Sequence, residues 1–445
     1  MSLFDRHRQL LRNIQPLGVS GRVGAVRGLT VSVSDFPSSV GASCRIAMSG
    51  GEMEGRVVGF ADRQTLVMLL GATAGIRRGD RVSLTGSVHT VGLGGGLLGR
   101  ILDGRGRPID GRGPLKAACR RPVWPDPIDP MTRKRISEPM GSGVRAIDGM
   151  LTVGRGQRMG VFSGSGVGKS VLLGMIARGG DADVNVIALI GERGREVRDF
   201  IEKVLGPEGM RRSVVIVSTS DEPPPLRVQA GAVATTVAEY FRDRGCDVVL
   251  LVDSLTRLAT AQRQIGLVAG EPPTTKGYTP SVFNLLPQLL ERAGRTAQGS
   301  ITAFYAVLVD GDDPAEPISD AVRAVTDGHI WLSRPLAQRG QFPAIDCLQS
   351  VSRVMSDVID VEHQAAAREI RRLLALYGEI EDMVSIGAYQ AGSREYDAAI
   401  KAMPLVRAFL AQSLQRREDF PTAVAAIKDL HRQIAPLKSD GGLGP

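Results

Sequence analysis

Between about residues 143 and 350 the chain carries near-continuous apolar runs, Val184–Ile190, Ser213–Val217, Asp247–Val252 and Ser300–Leu308, separated by longer mixed segments. A strand must be apolar on every residue, and not only on alternate ones, when helices cover both of its faces, so these runs predict a parallel α/β sheet. Upstream the texture is different. Short β-branched runs punctuated by glycine, Arg22–Val33, Gly55–Phe60, Gln64–Leu70 and Asp80–Leu84, predict a small β-barrel. Beyond about Asp357, Ala365–Tyr377 and Asp397–Leu414 carry apolar residues at helical spacing and predict a helical C-terminal domain. In the polar, arginine-rich start, Leu3, Leu10, Leu11 and Ile14 fit a short amphipathic helix. The glycine cluster Val91–Gly99 and the proline-rich Pro122–Pro130 read as connectors. The expected division is therefore an arm at 1–18, a barrel at 19–92, an α/β core at 93–355 and a helical domain at 356–445.

Composition narrows this only a little. A chain of 445 residues, 43% hydrophobic and 23% charged, has room for two or three ordinary cores. No apolar run approaches the ~20 residues that span a bilayer, and the polar start lacks the apolar core of a secretion signal. Cys44, Cys119, Cys246 and Cys347 show no metal-ligand spacing and suit a reducing compartment. A cytoplasmic location is expected. The net charge of +8 is spread along the chain instead of forming one block, which reads as a solvated surface.

The chemistry is carried by Ser163-Gly-Ser-Gly-Val-Gly-Lys-Ser170, set between an apolar strand around Gly160–Phe162 and the helix opening at Val171. At such a turn Gly164, Ser165, Gly166, Val167, Gly168 and Val171 form a cradle in which backbone N–H groups meet phosphate oxygens, helped by the helix dipole. Lys169 is expected on the β- and γ-phosphates and the Ser170 hydroxyl on Mg²⁺, so the expected ligand is a nucleoside triphosphate with its magnesium. Ser163 stands where the strict pattern has glycine. Asp253, ending the run Val248–Asp253, is the expected second metal-organising carboxylate, acting through a metal-bound water. Glu192, just past Ile190, is placed to activate the attacking water as general base. Arg193 beside it could hold phosphate or reach a neighbouring subunit.

The joint occurrence of this loop, Gly191-Glu-Arg193, Val237–Asp243, Leu251–Arg257, Leu98–Gly111, Gly143–Gly149 and Pro343–Ser352 resembles the α/β-subunit family of rotary ATP synthases and its type III export relatives. The resemblance covers nearly the whole chain. Ile190–Asp199, Thr219–Arg227 and Gly270–Tyr278 are similar to the flagellar branch of the export ATPases, with the virulence injectisome branch as the alternative. It implies a RecA-like core flanked by the barrel and the helical domain, and a homohexamer with nucleotide sites between subunits. Arg353 then matches an arginine finger acting in trans, and Phe342 matches the aromatic residue against the adenine. The implied activity is ATP hydrolysis energising unfolding, chaperone release and export of flagellar proteins. The implied partners are export substrates and chaperones, a stator-like regulator on the N-terminal arm, a coiled-coil stalk, the export gate, and a peripheral contact with the inner face of the membrane. A hexameric RNA translocase shares the core but needs stacking aromatics in its barrel, where this chain has only Phe36 and Phe60; no nucleic acid is expected.

Overall fold

The computed structural model describes residues 18–438, apart from 72, 87, 310, 312, 314 and 315. The amphipathic helix expected in the arm therefore lies outside the described residues. Six antiparallel strands, β1 (Ser20–Arg27), β2 (Thr30–Ser34), β3 (Ser43–Met48), β4 (Gly51–Ala61), β5 (Gln64–Leu69) and β6 (Arg81–Gly86), close into a barrel in the order β1-β2-β5-β4-β3-β6. Alternate side chains, among them Val23, Val31, Val33, Ile46, Val57, Val67, Leu69 and Val82, fill its interior. Closure removes the open edges that a six-stranded sheet would otherwise present.

A short antiparallel pair, β7 (Thr90–Leu93) and β9 (Cys119–Pro122), follows the barrel, so part of the expected glycine linker is paired strand. The large sheet draws on β8 (Ile101–Asp103), β12 (Arg158–Ser163), β13 (Val184–Ile190), β14 (Ser213–Ser218), β15 (Asp247–Asp253), β17 (Ser300–Leu308), β18 (Gly328–Leu332) and β19 (Ile345–Ser352). Their order is β19-β18-β12-β17-β15-β13-β14-β8. The two-residue strands β10 (Pro139–Met140) and β11 (Val153–Gly154) pair with each other, and β16 (Gly294–Arg295) pairs with β17. Every contact in the large sheet is parallel except β18 with β19 and β16 with β17.

The apolar runs alternate between two cores. Val186, Ala188 and Ile190 of β13 and Val248, Leu250 and Val252 of β15 pack on one face with the Pro224–Arg242 and Leu255–Val268 helices. Ile187 and Leu189 with Val249 and Leu251 pack on the other, against the Lys169–Gly179 helix. That second core runs on without a break into the C-terminal helices Val361–Ser385, Arg394–Leu410 and Phe420–Ile434, through Ile370, Met403, Phe409 and Ile427. The start of the core also packs closely on the phosphate-loop helix. Gly143 has φ +76°, and a Cβ there would lie 2.5 Å from the Gly179 Cα at the end of the phosphate-loop helix.

Candidate functional site

β12 ends at Ser163, and the chain turns through Gly164–Gly168 into the helix that begins at Lys169. Gly166 (φ +77°) and Gly168 (φ +102°) hold backbone conformations that other residues adopt only under strain, and neither has an atom within 4 Å of where a Cβ would be. The loop is thus a cradle of backbone with open space over it. Gly164 and Val167 are buried, Ser165 and Gly166 face solvent, and Val171 is half-buried beyond Ser170. Ser163 lies wholly inside, and its hydroxyl has no hydrogen-bond partner.

Register brings the other residues to the same edge. Asp253 closes β15 opposite Leu189 of β13, and Glu192 follows β13 by two residues. The Lys169 ammonium contacts an Asp253 carboxylate oxygen and lies 4.0 Å from Glu192. The Ser170 hydroxyl donates to the second Asp253 oxygen at 3.3 Å. Ser170, Glu192, Glu196, Asp253, Leu189 and Phe200 help line a cavity of about 200 Å³, room for several waters at ~30 Å³ each or for a terminal phosphate. Magnesium fits this donor set: the Ser170 hydroxyl and the Asp253 carboxylate are hard oxygen groups that would hold the ion, the first directly and the second through water. Among the described residues there is no cluster of three His, Cys, Asp or Glu side chains that would form a cage of its own.

Burial, then the charge of Asp253, pushes the Glu192 carboxyl up to about 7, against the opposing pull of Lys169 and Arg257. Glu192 also shares a hydrogen bond with Glu196, which holds the Glu196 carboxyl down. A carboxyl tuned near neutrality and aimed into a phosphate-sized cavity can both take and release a proton.

Arg257 is the residue whose role in the site the sequence did not announce. It reaches Glu192 at 3.4 Å and donates to the Gly191 carbonyl at 2.5 Å. Gly191 (φ +70°) makes room for it, since a Cβ there would meet the Arg257 side chain at 2.8 Å. The prediction is direct. Arg257→Met removes a cation that favours ionised Glu192, so the Glu192 pKa rises and the acidic limb of the pH–rate profile moves to higher pH. An unmoved limb would exclude contact between the two groups in the working enzyme.

Arg193 is not brought into this cluster. Its side chain is 79% exposed and pairs with Glu196 at 3.7 Å. Arg353 is not brought there either, for a different reason. β19 runs antiparallel to β18, and the Arg353 amide bonds the Asp327 carbonyl, level with Arg158 at the start of β12. The phosphate loop leaves the other end of β12, five residues or roughly 16 Å away at ~3.3 Å per residue. Phe342 precedes the opposite end of β19, near the Leu332–Ile345 pair that is level with Ser163, and it is 42% exposed. One strand therefore has Phe342 on the edge of its own phosphate loop and Arg353 on the far edge.

A glycine cradle at the carboxyl edge of a parallel sheet, with a lysine, a strand-end aspartate and a tuned glutamate, defines a RecA-type P-loop nucleoside triphosphatase. Residues 143–352 match the nucleotide-binding domain of the ATP synthase alpha/beta family, 23–86 its beta-barrel domain, and 359–429 the T3SS EscN ATPase C-terminal domain. The chain belongs to the ATP synthase alpha/beta family, and it is an ATPase. It is 51% identical over 431 residues to a flagellum-specific ATP synthase of Treponema pallidum, covering 96% of each chain. It is 50% identical over 395 residues to a type 3 secretion system ATPase of Xanthomonas euvesicatoria, covering 88% of this chain and 89% of the other. The assembled ATPase EscN of enteropathogenic E. coli, solved in complex with its central stalk EscO, superimposes with a TM-score of 0.85 at 41% identity, over 92% of this chain and 100% of that one.

Proposed function

We propose that this ATPase energises flagellar protein export, as a homohexamer whose active sites lie between subunits. The observation that carries the reading is the placement of Glu192 and Arg353 on opposite edges of one sheet. A single chain holds both halves of a site but cannot bring them together, whereas a closed ring of identical chains completes one site at every interface. In each site Gly164–Gly168 and Lys169 hold the phosphates, and Glu192 draws a proton from the attacking water. The neighbour's Arg353 meets the charge that develops on the transferred phosphoryl group. Ser170, and Asp253 through water, would hold magnesium, which would neutralise charge on the phosphates. Phe342 packs against the base. Arg193, exposed beside Glu192, is available to the adjacent subunit.

The flagellar assignment is supported by the flagellum-specific relatives, and the injectisome relatives do not match better. A stalk partner is supported by the EscN–EscO complex. A cytoplasmic position at the export apparatus is supported by the flagellum-specific relatives. Export substrates with their chaperones, a regulator on the arm, the export gate and a peripheral membrane contact complete the proposal. The test is specific ATPase activity across a range of protein concentrations, with particle size followed in parallel. Activity per chain should climb where hexamers form; a fully active monomer would refute shared sites.

A further inference from the structure

We propose that Arg323 is a second guanidinium delivered to the neighbouring subunit's triphosphate, beside Arg353. The inference deepens the shared-site reading and rests on it. Arg323 lies in the last turn of the Pro317–Val325 helix, which leads through Thr326 and Asp327 directly into β18. Arg353 follows β19, whose end pairs with the start of β18. The two arginines thus leave the same far edge of the sheet. The Arg353 guanidinium donates to the Arg323 carbonyl at 3.5 Å, so the finger lies along the carboxyl end of that helix, where the helix dipole favours a cation.

The local charge is unbalanced. Asp327, the half-buried acid on β18's approach, is already taken by Arg158 through bonds of 3.0 and 3.1 Å. Among the described residues no carboxylate pairs with Arg353, and Arg323 has only Asp320, at 3.6 Å and 76% exposed. Such an exposed pair one helical turn apart is weak and readily exchanged for a better anion. The pKa of His329, on β18, is lowered by burial first and also by the fields of Arg323 and Arg353, and its ring bonds the Gln349 carbonyl at 2.8 Å. Two guanidinia on one rim suit a multiply charged phosphate-type oxyanion, whose several oxygens both arginines can grip. In the ring proposed above, the group facing this rim is the next subunit's nucleotide phosphate tail.

The experiment uses the full chain. Arg323→Met, with hexamer formation and thermal melting checked, should lose about 10-fold or more in kcat with a small change in KM, and Arg323→Lys should recover part of the loss. Mixing Arg323→Met with Glu192→Gln should raise activity above the sum of the two, because the Glu192→Gln neighbour donates an intact Arg323. In single turnover, Arg323→Met/Arg353→Ala should fall below Arg353→Ala alone. If the double variant equals Arg353→Ala, Arg323 only positions the finger and the proposal fails. If Arg353→Ala is complemented by Glu192→Gln and Arg323→Met is not, the shared-site reading survives and the Arg323 assignment falls; if neither is complemented, both fall.

Discussion

Arg353→Ala is expected to bind nucleotide with little change and to lose on the order of 10³-fold or more in kcat. The binding half of the expectation follows from distance. The residues that would hold ATP, Lys169 and the Gly164–Gly168 loop, sit at the carboxyl edge of the sheet, and Arg353 is at the other edge of its own chain. Removing it therefore leaves each chain's own cradle intact. The catalytic half follows from when the contact matters. An arginine aimed at the γ-phosphoryl group is strongest when charge builds on its oxygens, so its loss falls on the transition state more than on the bound substrate. Equal concentrations of Arg353→Ala and Glu192→Gln chains should recover part of the activity, since a mixed interface contains one intact Glu192 and one intact Arg353. Fluorescent-nucleotide binding and phosphate release measure the two halves separately. A mutant that hydrolyses normally, or mixed rings that stay inactive, would rule out the in-trans role.

Glu192→Gln should cost roughly 10²–10⁴-fold in turnover and remove the acidic limb of the pH profile. The sign follows from the direction of the shift. Burial and Asp253 raise the Glu192 carboxyl to about 7, so the fraction in the ionised, proton-accepting form grows as pH rises through neutrality. Wild-type activity should climb across that interval and then level off. The amide keeps the size of the side chain and cannot accept the proton, so its residual activity should be flat with pH there. A glutamine variant with near-normal turnover would exclude Glu192 as base, and a retained acidic limb would assign that limb to another group.

The large sheet was legible because β13, β15 and β17 are covered on both faces and advertise it with uninterrupted apolar residues. Elements with sparse inward positions were not. β3 buries only Cys44 and Ile46 between Ser43, Arg45 and Ala47, too few to stand out. The Phe420–Ile434 helix buries Ala423, Ile427, Leu430 and Ile434 among charged residues and has a proline as its second residue, so its stripe is thin. The helix expected to reach Leu414 stops at Leu410, because the Gln412 side chain is fixed by the Arg145 amide and the Gly143 carbonyl, a tertiary bond without local signal. The site shows the same division. The phosphate loop declares its geometry in its own residues. Arg257 is far from Glu192 in sequence and meets it only through the pairing of β13 with β15, while Arg193 is adjacent to Glu192 and turns outward, since neighbouring residues on extended backbone face opposite sides.

The two ends of β19 give an assembled ring a handedness. If Phe342 meets the base in one site and Arg353 the phosphates of the next, as proposed, each interface is head-to-tail, and going round the ring one way is chemically distinct from going round the other. A change at one nucleotide is then felt unequally by the subunits to its left and right: one shares the strand that touches the base, and the other presents the guanidinium. Order in firing, clockwise or anticlockwise, would be inherited from the direction of a single strand and would need no external stalk to define it.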